Sequence, residues 1–281
     1  MSETTSPHRT IAERFIDGRN SVGQPAVSPD GEHVAFVVAT VDLEENTTRS
    51  RIWLDDAPVS AGDHDGSPTW SPDGRFLAFT SRRGEKKGDS TLHVLAANGP
   101  GELRTVCSMP DGLGDVAWSP DGKWFAFTSR TRHERYEAKD ASWQSPRKIE
   151  RFFSRLNGED WIADRPQHIY VIAADGTGVP RNLTPGEFQH DGVAWLADSS
   201  GVVTSAQRHD TWDIDAADDL YVVSLPYDGS ATTPYVRCLT AHDGNYGAPS
   251  VSPDGSLVAF IGSPDSRTYP QNARVGILPV D

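Results

Sequence analysis

The sequence predicts an all-β chain, a β-propeller of four-stranded blades, about five of them, in an incomplete or open array. The first observation behind this is a repeated turn. It reads Ser28-Pro29-Asp30-Gly31, Ser71-Pro72-Asp73-Gly74, Ser119-Pro120-Asp121-Gly122 and Ser252-Pro253-Asp254-Gly255. A fifth, degenerate copy reads Ala197-Asp198-Ser199-Ser200-Gly201. The second observation is spacing. Copy starts are separated by 43, 48, 78 and 55 residues. The first two intervals match one four-stranded blade, and the third needs an insertion.

The turn has a physical basis. Proline presets φ for a type I turn, aspartate bonds nearby backbone amides, and glycine supplies the positive φ that ends it. Before each copy stands an apolar or aromatic residue: Val27, Trp70, Trp118, Trp195 and Val251. After it comes a β-rich run, such as Phe76-Leu77-Ala78-Phe79-Thr80 or Trp124-Phe125-Ala126-Phe127-Thr128. These runs are almost continuously apolar, as expected for strands covered on both faces by neighbouring blades. A third strand follows in each unit, at Ile52-Trp53-Leu54, Leu92 to Leu95, His168 to Ile172, Leu220 to Val223 and Val275 to Leu278. The outer strand is weaker and shows best at Arg181 to Thr184 and Val236 to Thr240. Helical periodicity is confined to a short stretch from Ile11 to Ile16.

These signals divide the chain into an N-terminal segment, 1–21, and a propeller, 22–281. The blades are expected near 22–62, 63–110, 111–186 with an insertion at 130–164, 187–241 and 242–281. The fifth unit reaches Asp281 directly after its third strand. Either the N-terminal segment donates the fourth strand, or the array is open with exposed edges. A longer parent chain is the expectation.

The formal charge is −14. An acidic surface argues against nucleic acid and anionic membrane as main partners and is read as a solubility feature. Cys107 and Cys238 are the two cysteines, too few for a disulfide framework, so a reducing, cytoplasmic compartment is expected. Residues 1–20 are polar and carry no secretory signature, and no apolar run approaches a membrane span. Oligomeric state is left open.

The Trp-Ser-Pro-Asp-Gly turn, as at Trp70 to Gly74 and Trp118 to Gly122, is also carried by TolB-like propellers, and the repeat as a whole is of the TolB-like or WD-like kind. The middle segment is more specific. Pro146-Arg147-Lys148-Ile149-Glu150-Arg151, Asn157-Gly158-Glu159-Asp160-Trp161 and Arg165-Pro166-Gln167-His168-Ile169-Tyr170-Val171-Ile172 resemble the inserted stretch of propellers in the prolyl oligopeptidase family of serine peptidases, in its acylaminoacyl-peptidase and dipeptidyl-peptidase branches. The similarity runs from about Arg9 to Asp281. It implies a non-catalytic propeller that gates and binds short peptides for an α/β-hydrolase domain. That domain carries its serine in a Gly-x-Ser-x-Gly elbow. No serine here has glycine both two before and two after. This chain alone is therefore expected to hydrolyse nothing, while the intact parent protein is expected to be a serine peptidase.

Two constellations stand out. His64-Asp65-Gly66, His190-Asp191-Gly192 and His242-Asp243-Gly244 should all lie in loops leading into a blade, around one rim. His and Asp are metal-ligand types, but adjacent blades would hold the triplets apart, so a backbone-bonding role is expected, with no metal and no cofactor. The insertion is the better candidate, because long loops between regular strands usually carry function. Arg151 or Arg155 suits bidentate binding of a peptide carboxylate, Glu159 suits a free α-amino group, and Trp161 stands beside them. The opposing reading makes these residues surface ion pairs and aromatic packing. Two other functional classes remain. One is a stand-alone TolB-like module that binds proteins or acts as a scaffold. The other is a lactonase-type enzyme, which needs carboxylates or metal ligands converging on the channel.

Overall fold

The computed structural model describes residues 10–17, 19–82, 89–98, 102–134, 146–149, 154–157, 160–215, 217–225, 234–266 and 271–281. One short helix, α1 (Ile11–Ile16), precedes the sheets. Thr10 and Glu13 close it in a capping box, each side chain accepting from the other's backbone N–H. No helix is long and apolar enough to cross a membrane among the described residues.

Five antiparallel sheets follow in chain order. Blade 1 is β1 (Asn20–Val27), β2 (Val34–Asp42), β3 (Thr47–Leu54) and β4 (Ala57–Pro58). Blade 2 is β5 (Asp65–Trp70), β6 (Phe76–Ser81), β7 (Ser90–Ala96) and β8 (Arg104–Met109). Blade 3 begins with β9 (Gly114–Trp118) and β10 (Trp124–Arg130). A separate two-stranded hairpin, β11 (Arg155–Leu156) and β12 (Asp160–Trp161), interrupts it before β13 (Gln167–Ala173) and β14 (Arg181–Asn182). Blade 4 is β15 (His190–Trp195), β16 (Gly201–Ala206), β17 (Asp219–Ser224) and β18 (Val236–Cys238). Blade 5 is β19 (Asn245–Val251), β20 (Leu257–Ser263) and β21 (Arg274–Pro279), three strands among the described residues.

The propeller is open. β1 pairs with β2 as the leading strand of blade 1 and is not donated to blade 5. Of the two arrangements left by the sequence, the described residues have the one with free edges. Apolar residues stay in solvent on the two flanking blades: Val22 and Val27 on blade 1, Ile261, Val275 and Ile277 on blade 5.

Between blades the packing follows the two-residue period of a strand. On β10, Phe125 and Phe127 face blade 2 and meet Ala78, Leu92 and Val94, while Ala126 faces blade 4 and packs with Trp195 and Val202. On β6, Leu77 and Phe79 face blade 1 while Ala78 faces blade 3. Val202 and Val203 of β16 divide in the same way between blades 3 and 5. The unbroken apolar runs are thus two half-runs, each buried against a different neighbour. Indole N–H groups add registration between blades: Trp70 Nε1 donates to Ala26 O at 2.9 Å, and Trp195 Nε1 to Ala117 O at 3.1 Å.

The four Ser-Pro-Asp-Gly turns are built alike. In the second, Gly74 N donates to Ser71 O at 2.9 Å, Ser71 Oγ donates to Asp73 Oδ1 at 2.6 Å, and Phe76 N donates to Ser71 Oγ at 2.9 Å. The bond from Ser71 is the main reason the Asp73 carboxyl lies at about 2, and Ser252 does the same for Asp254. Gly74 has φ +70°. Gly74→Val therefore puts a β-branched side chain in the left-handed region. It should cost on the order of 1–3 kcal/mol, read as a lowered urea midpoint. A variant that melts with wild type would remove the turn assignment.

The degenerate turn is shifted by one residue from its sequence alignment. Ser199 N donates to Leu196 O at 2.9 Å, the bond that glycine makes in the other copies. The turn is Leu196-Ala197-Asp198-Ser199, with Ser199 at φ +62° in the glycine position. Asp198 keeps its part, accepting from Ser200 N at 2.9 Å. Leucine in the serine position hid this alignment. As a result, Asp65 and His190, not His64 and His190, occupy matching places, opposite Ser81 and Ala206.

Candidate functional site

Strand direction sorts the loops onto two rims. The Ser-Pro-Asp-Gly turns join first to second strands and lie on one rim. Links between second and third strands, and those leading into each blade, lie on the other. The insertion of blade 3, the long 207–218 link of blade 4 and all three His-Asp-Gly triplets share this second rim.

The insertion's later half is fastened to blade 3. Asp111, nearly buried, accepts from Arg132 at 2.8 Å and from Arg165 at 3.0 Å. Arg147 pairs with the buried Asp164 at 2.9 Å, and Ile162 is buried beneath the hairpin. Two guanidinium groups lie over Trp161, Arg147 at 4.8 Å and Arg155 at 5.6 Å from its ring centre. Of the peptide-binding residues expected from the sequence, Arg155 and Trp161 are brought together on this hairpin. Arg151 and Glu159 lie outside the described residues.

A second cationic group was missed by the sequence reading. Arg208 follows β16 and is half-buried. Its guanidinium lies 4.8 Å over the Phe188 ring and donates to His190 Nε2 at 3.1 Å. Among the described residues no carboxylate pairs with it. Burial lowers its pKa from the ordinary arginine value, yet a guanidinium stays charged. Such a charge has unspent capacity for an anionic or carbonyl ligand. Phe188 in turn meets Trp212 edge-on at 5.5 Å. A small recess of 20 Å³ lined by Ile162, Gln189, Gln207 and Trp212 joins this corner to the insertion. The only sequence signal was an arginine flanked by polar residues directly after an apolar strand.

His190 is buried, and burial first, then Arg208 and His168, push it down to about 3. Further along the rim acidic groups accumulate. Burial, then Asp191 and Asp219, raise Asp218 to about 6. Burial, then Asp115, raise Asp191 as well. The triplets do not converge. His64 is exposed, His190 opens β15 beneath Arg208, and His242 meets Asp219 of blade 4.

A cleft of 570 Å³ lies on the opposite rim, lined by Ser71, Asp73, Pro120, Asp121 and Trp118. Its walls are the repeated turns of blades 2 and 3, Arg75 and Arg104 also line it, and no histidine does. Cys107 and Cys238 are free thiols on the outer strands β8 and β18, and burial pushes Cys107 up to about 12.

No family model matches the sequence. A curated relative, the uncharacterized peptidase YuxL of Bacillus subtilis, is 28% identical over 216 residues, covering 72% of this chain and 32% of its own length. The chain thus spans about a third of that relative. Among solved structures, acylaminoacyl peptidase of Pyrococcus horikoshii superposes with a TM-score of 0.70 at 17% identity, covering 94% of this chain and 39% of that one. The β-propeller domain of the trilobed protease of Pyrococcus furiosus, with an open velcro topology, gives 0.60 at 14% identity, covering 93% and 69%. A putative TolB of Agrobacterium tumefaciens gives 0.57 at 20% identity, covering 93% and 78%. The fold therefore defines an open β-propeller of the class shared by TolB and peptidase propellers. Within that class the solved structures it resembles include two peptidases, and its curated relative is named as a peptidase.

Proposed function

We propose that this chain is the propeller portion of a prolyl oligopeptidase-family serine peptidase, gating and binding short peptides for an α/β-hydrolase domain. The observation that carries the reading is the cationic–aromatic corner on one rim, where Arg208 over Phe188 has no carboxylate partner among the described residues. Arg155 against Trp161 adds a second cation on the inserted hairpin. A guanidinium on a ring presents its remaining donors to a planar acceptor, which is what a peptide carboxylate or carbonyl offers. A cytoplasmic setting belongs to the same reading and is supported by two free thiols.

The test uses the full reading frame that contains this chain, assayed on short chromogenic peptides. Arg208→Ala, combined with Arg155→Ala, should raise KM about tenfold or more and leave kcat nearly unchanged, because ground-state and transition-state binding are lost alike. Unchanged KM in the folded double variant would remove the peptide-binding role. A second reading, a stand-alone TolB-like binding module, is favoured by the Agrobacterium TolB match. It requires a reading frame with no Gly-x-Ser-x-Gly domain.

A further inference from the structure

The strongest unassigned chemistry lies where blade 4 meets the link into blade 5. Three side chains converge there from separate parts of the chain. His209 comes from the link after β16, Asp219 opens β17, and His242 stands between β18 and β19. One ligand atom from each lies within 4.8 Å of the other two.

Each donor is already oriented. Asp219 is fully buried, and its Oδ1 is occupied by Thr240 Oγ1 at 2.6 Å and His242 N at 3.0 Å. That leaves Oδ2, which lies 2.5 Å from His242 Nδ1 and 3.7 Å from His209 Nδ1. On the far side of His209, Nε2 meets both oxygens of Asp215, at 3.0 and 3.1 Å. Asp215 is itself held by Thr211 Oγ1 at 2.6 Å and Ala217 N at 3.0 Å. An ionised carboxylate only accepts, so Nε2 carries the hydrogen.

In a neutral ring the tautomer then puts a lone pair on His209 Nδ1. That atom is buried and has no hydrogen-bond partner. The side chain is 10% exposed and faces Asp219 Oδ2, the oxygen that His242 Nδ1 also meets. At 3.7 Å the contact is too long for a hydrogen bond. A buried lone pair facing a carboxylate oxygen is repelled by it, and a cation bound between them relieves that repulsion. A carboxylate that orients a histidine through its other nitrogen is also the usual outer arrangement around a histidine metal ligand.

We propose that His209, Asp219 and His242 form a site for one divalent ion of the zinc class, clamping the 207–218 link of blade 4 to the start of blade 5. Two imidazole nitrogens and one carboxylate oxygen suit Zn²⁺ and its first-row neighbours better than Ca²⁺ or Mg²⁺, which prefer oxygen. The three donors close on the ion mainly by rotation of His242, whose side chain is 47% exposed. That exposure leaves the fourth position to water. The site is independent of the peptidase reading, since none of its residues is in the cationic corner of Arg208 and Arg155.

The experiment is calorimetric titration of the untagged, chelator-treated chain with Zn²⁺, together with visible absorption after Co²⁺ loading. One ion per chain is expected, with the intense ligand-field bands of four- or five-coordinate Co²⁺. His242→Ala leaves the buried carboxylate and its other donors in place and should keep the circular dichroism of wild type. It should weaken Zn²⁺ by at least about tenfold, and His209→Gln should do the same. Asp215→Asn should weaken Zn²⁺ about 10–100-fold while leaving the three donors intact. If wild type takes up no Zn²⁺ at millimolar excess, the cation facing Asp219 is a proton on His209 and the proposal fails. It fails equally if His242→Ala and His209→Gln bind Zn²⁺ as tightly as wild type.

Discussion

Replacing His190 by glutamine is expected to remove an acid-sensitive part of the stability of blade 4. In the folded chain burial first, then the Arg208 guanidinium and His168, push His190 down to about 3 from its ordinary 6.5. A depressed folded-state value means that the fold holds the neutral ring. That contribution is complete above about pH 6.5 and is lost as pH falls from there toward 3. Asp218 acts in the opposite sense. Burial, then Asp191 and Asp219, raise it to about 6, so its contribution favours the fold as pH falls from about 6 toward the ordinary 3.8. The two effects partly cancel in the wild-type curve, and the observable is the difference between wild type and His190→Gln. The curves should diverge by about 1.4 kcal/mol per pH unit below pH 6.5, reaching about 3 kcal/mol near pH 4, with wild type losing more. Urea titrations at a series of pH values measure this. Parallel curves would mean that His190 can be protonated in the folded chain. A protonated His190 would stop accepting from Arg208 at 3.1 Å and add a like charge beside it. In that case acid would also loosen the guanidinium on which peptide binding is proposed to depend.

Phe127→Ala should be among the most destabilising single changes in the chain. Phe127 is 0% exposed on β10 and faces blade 2. Its ring stacks on Tyr170 with centres 5.8 Å apart and planes 9° from parallel. Removal loses both the transfer of the ring from water and the packing around the space left. Phenylalanine-to-alanine changes in such cores cost about 3–5 kcal/mol. The flanking strands are held in ladders on both sides, so collapse into the space is limited. The urea midpoint should fall with little change in slope, since the surface exposed on unfolding is nearly the same. A loss below about 1 kcal/mol would mean that blades 2 and 3 are not packed as a single core.

Most of the fold was legible because each blade reports itself locally. The turn chemistry of Ser71 to Gly74 and its copies is contained in four residues, and the double burial of the second strand turns Phe76 to Thr80 into an unbroken apolar run. The third strands and the short helix at Ile11–Ile16 were read from the same short-range signals. The degenerate turn was placed one residue late. Leu196 stands where serine is expected, and Ser199 adopts the positive φ usually left to glycine. Local sequence rules cannot foresee a non-glycine residue that the surrounding ladder forces into that region.

The functional rim was less legible. The sequence pointed to the insertion and to Arg155 and Trp161, which share the hairpin, and its other two candidates, Arg151 and Glu159, lie outside the described residues. It expected the blades to hold the three His-Asp-Gly triplets apart, and they do. What the sequence by itself determined was the repeat: turn, strand and neighbouring blade follow from residues a few positions apart. Only the tertiary structure decided that β1 leads blade 1 and leaves the ring open. Only it brought Arg208 over Phe188, and His209 and His242 to the same oxygen of Asp219. Those meetings join residues 10 to 33 positions apart across links of unequal length. No periodicity encodes them, because the distance between two loops on a rim is fixed by how blades pack and not by spacing along the chain.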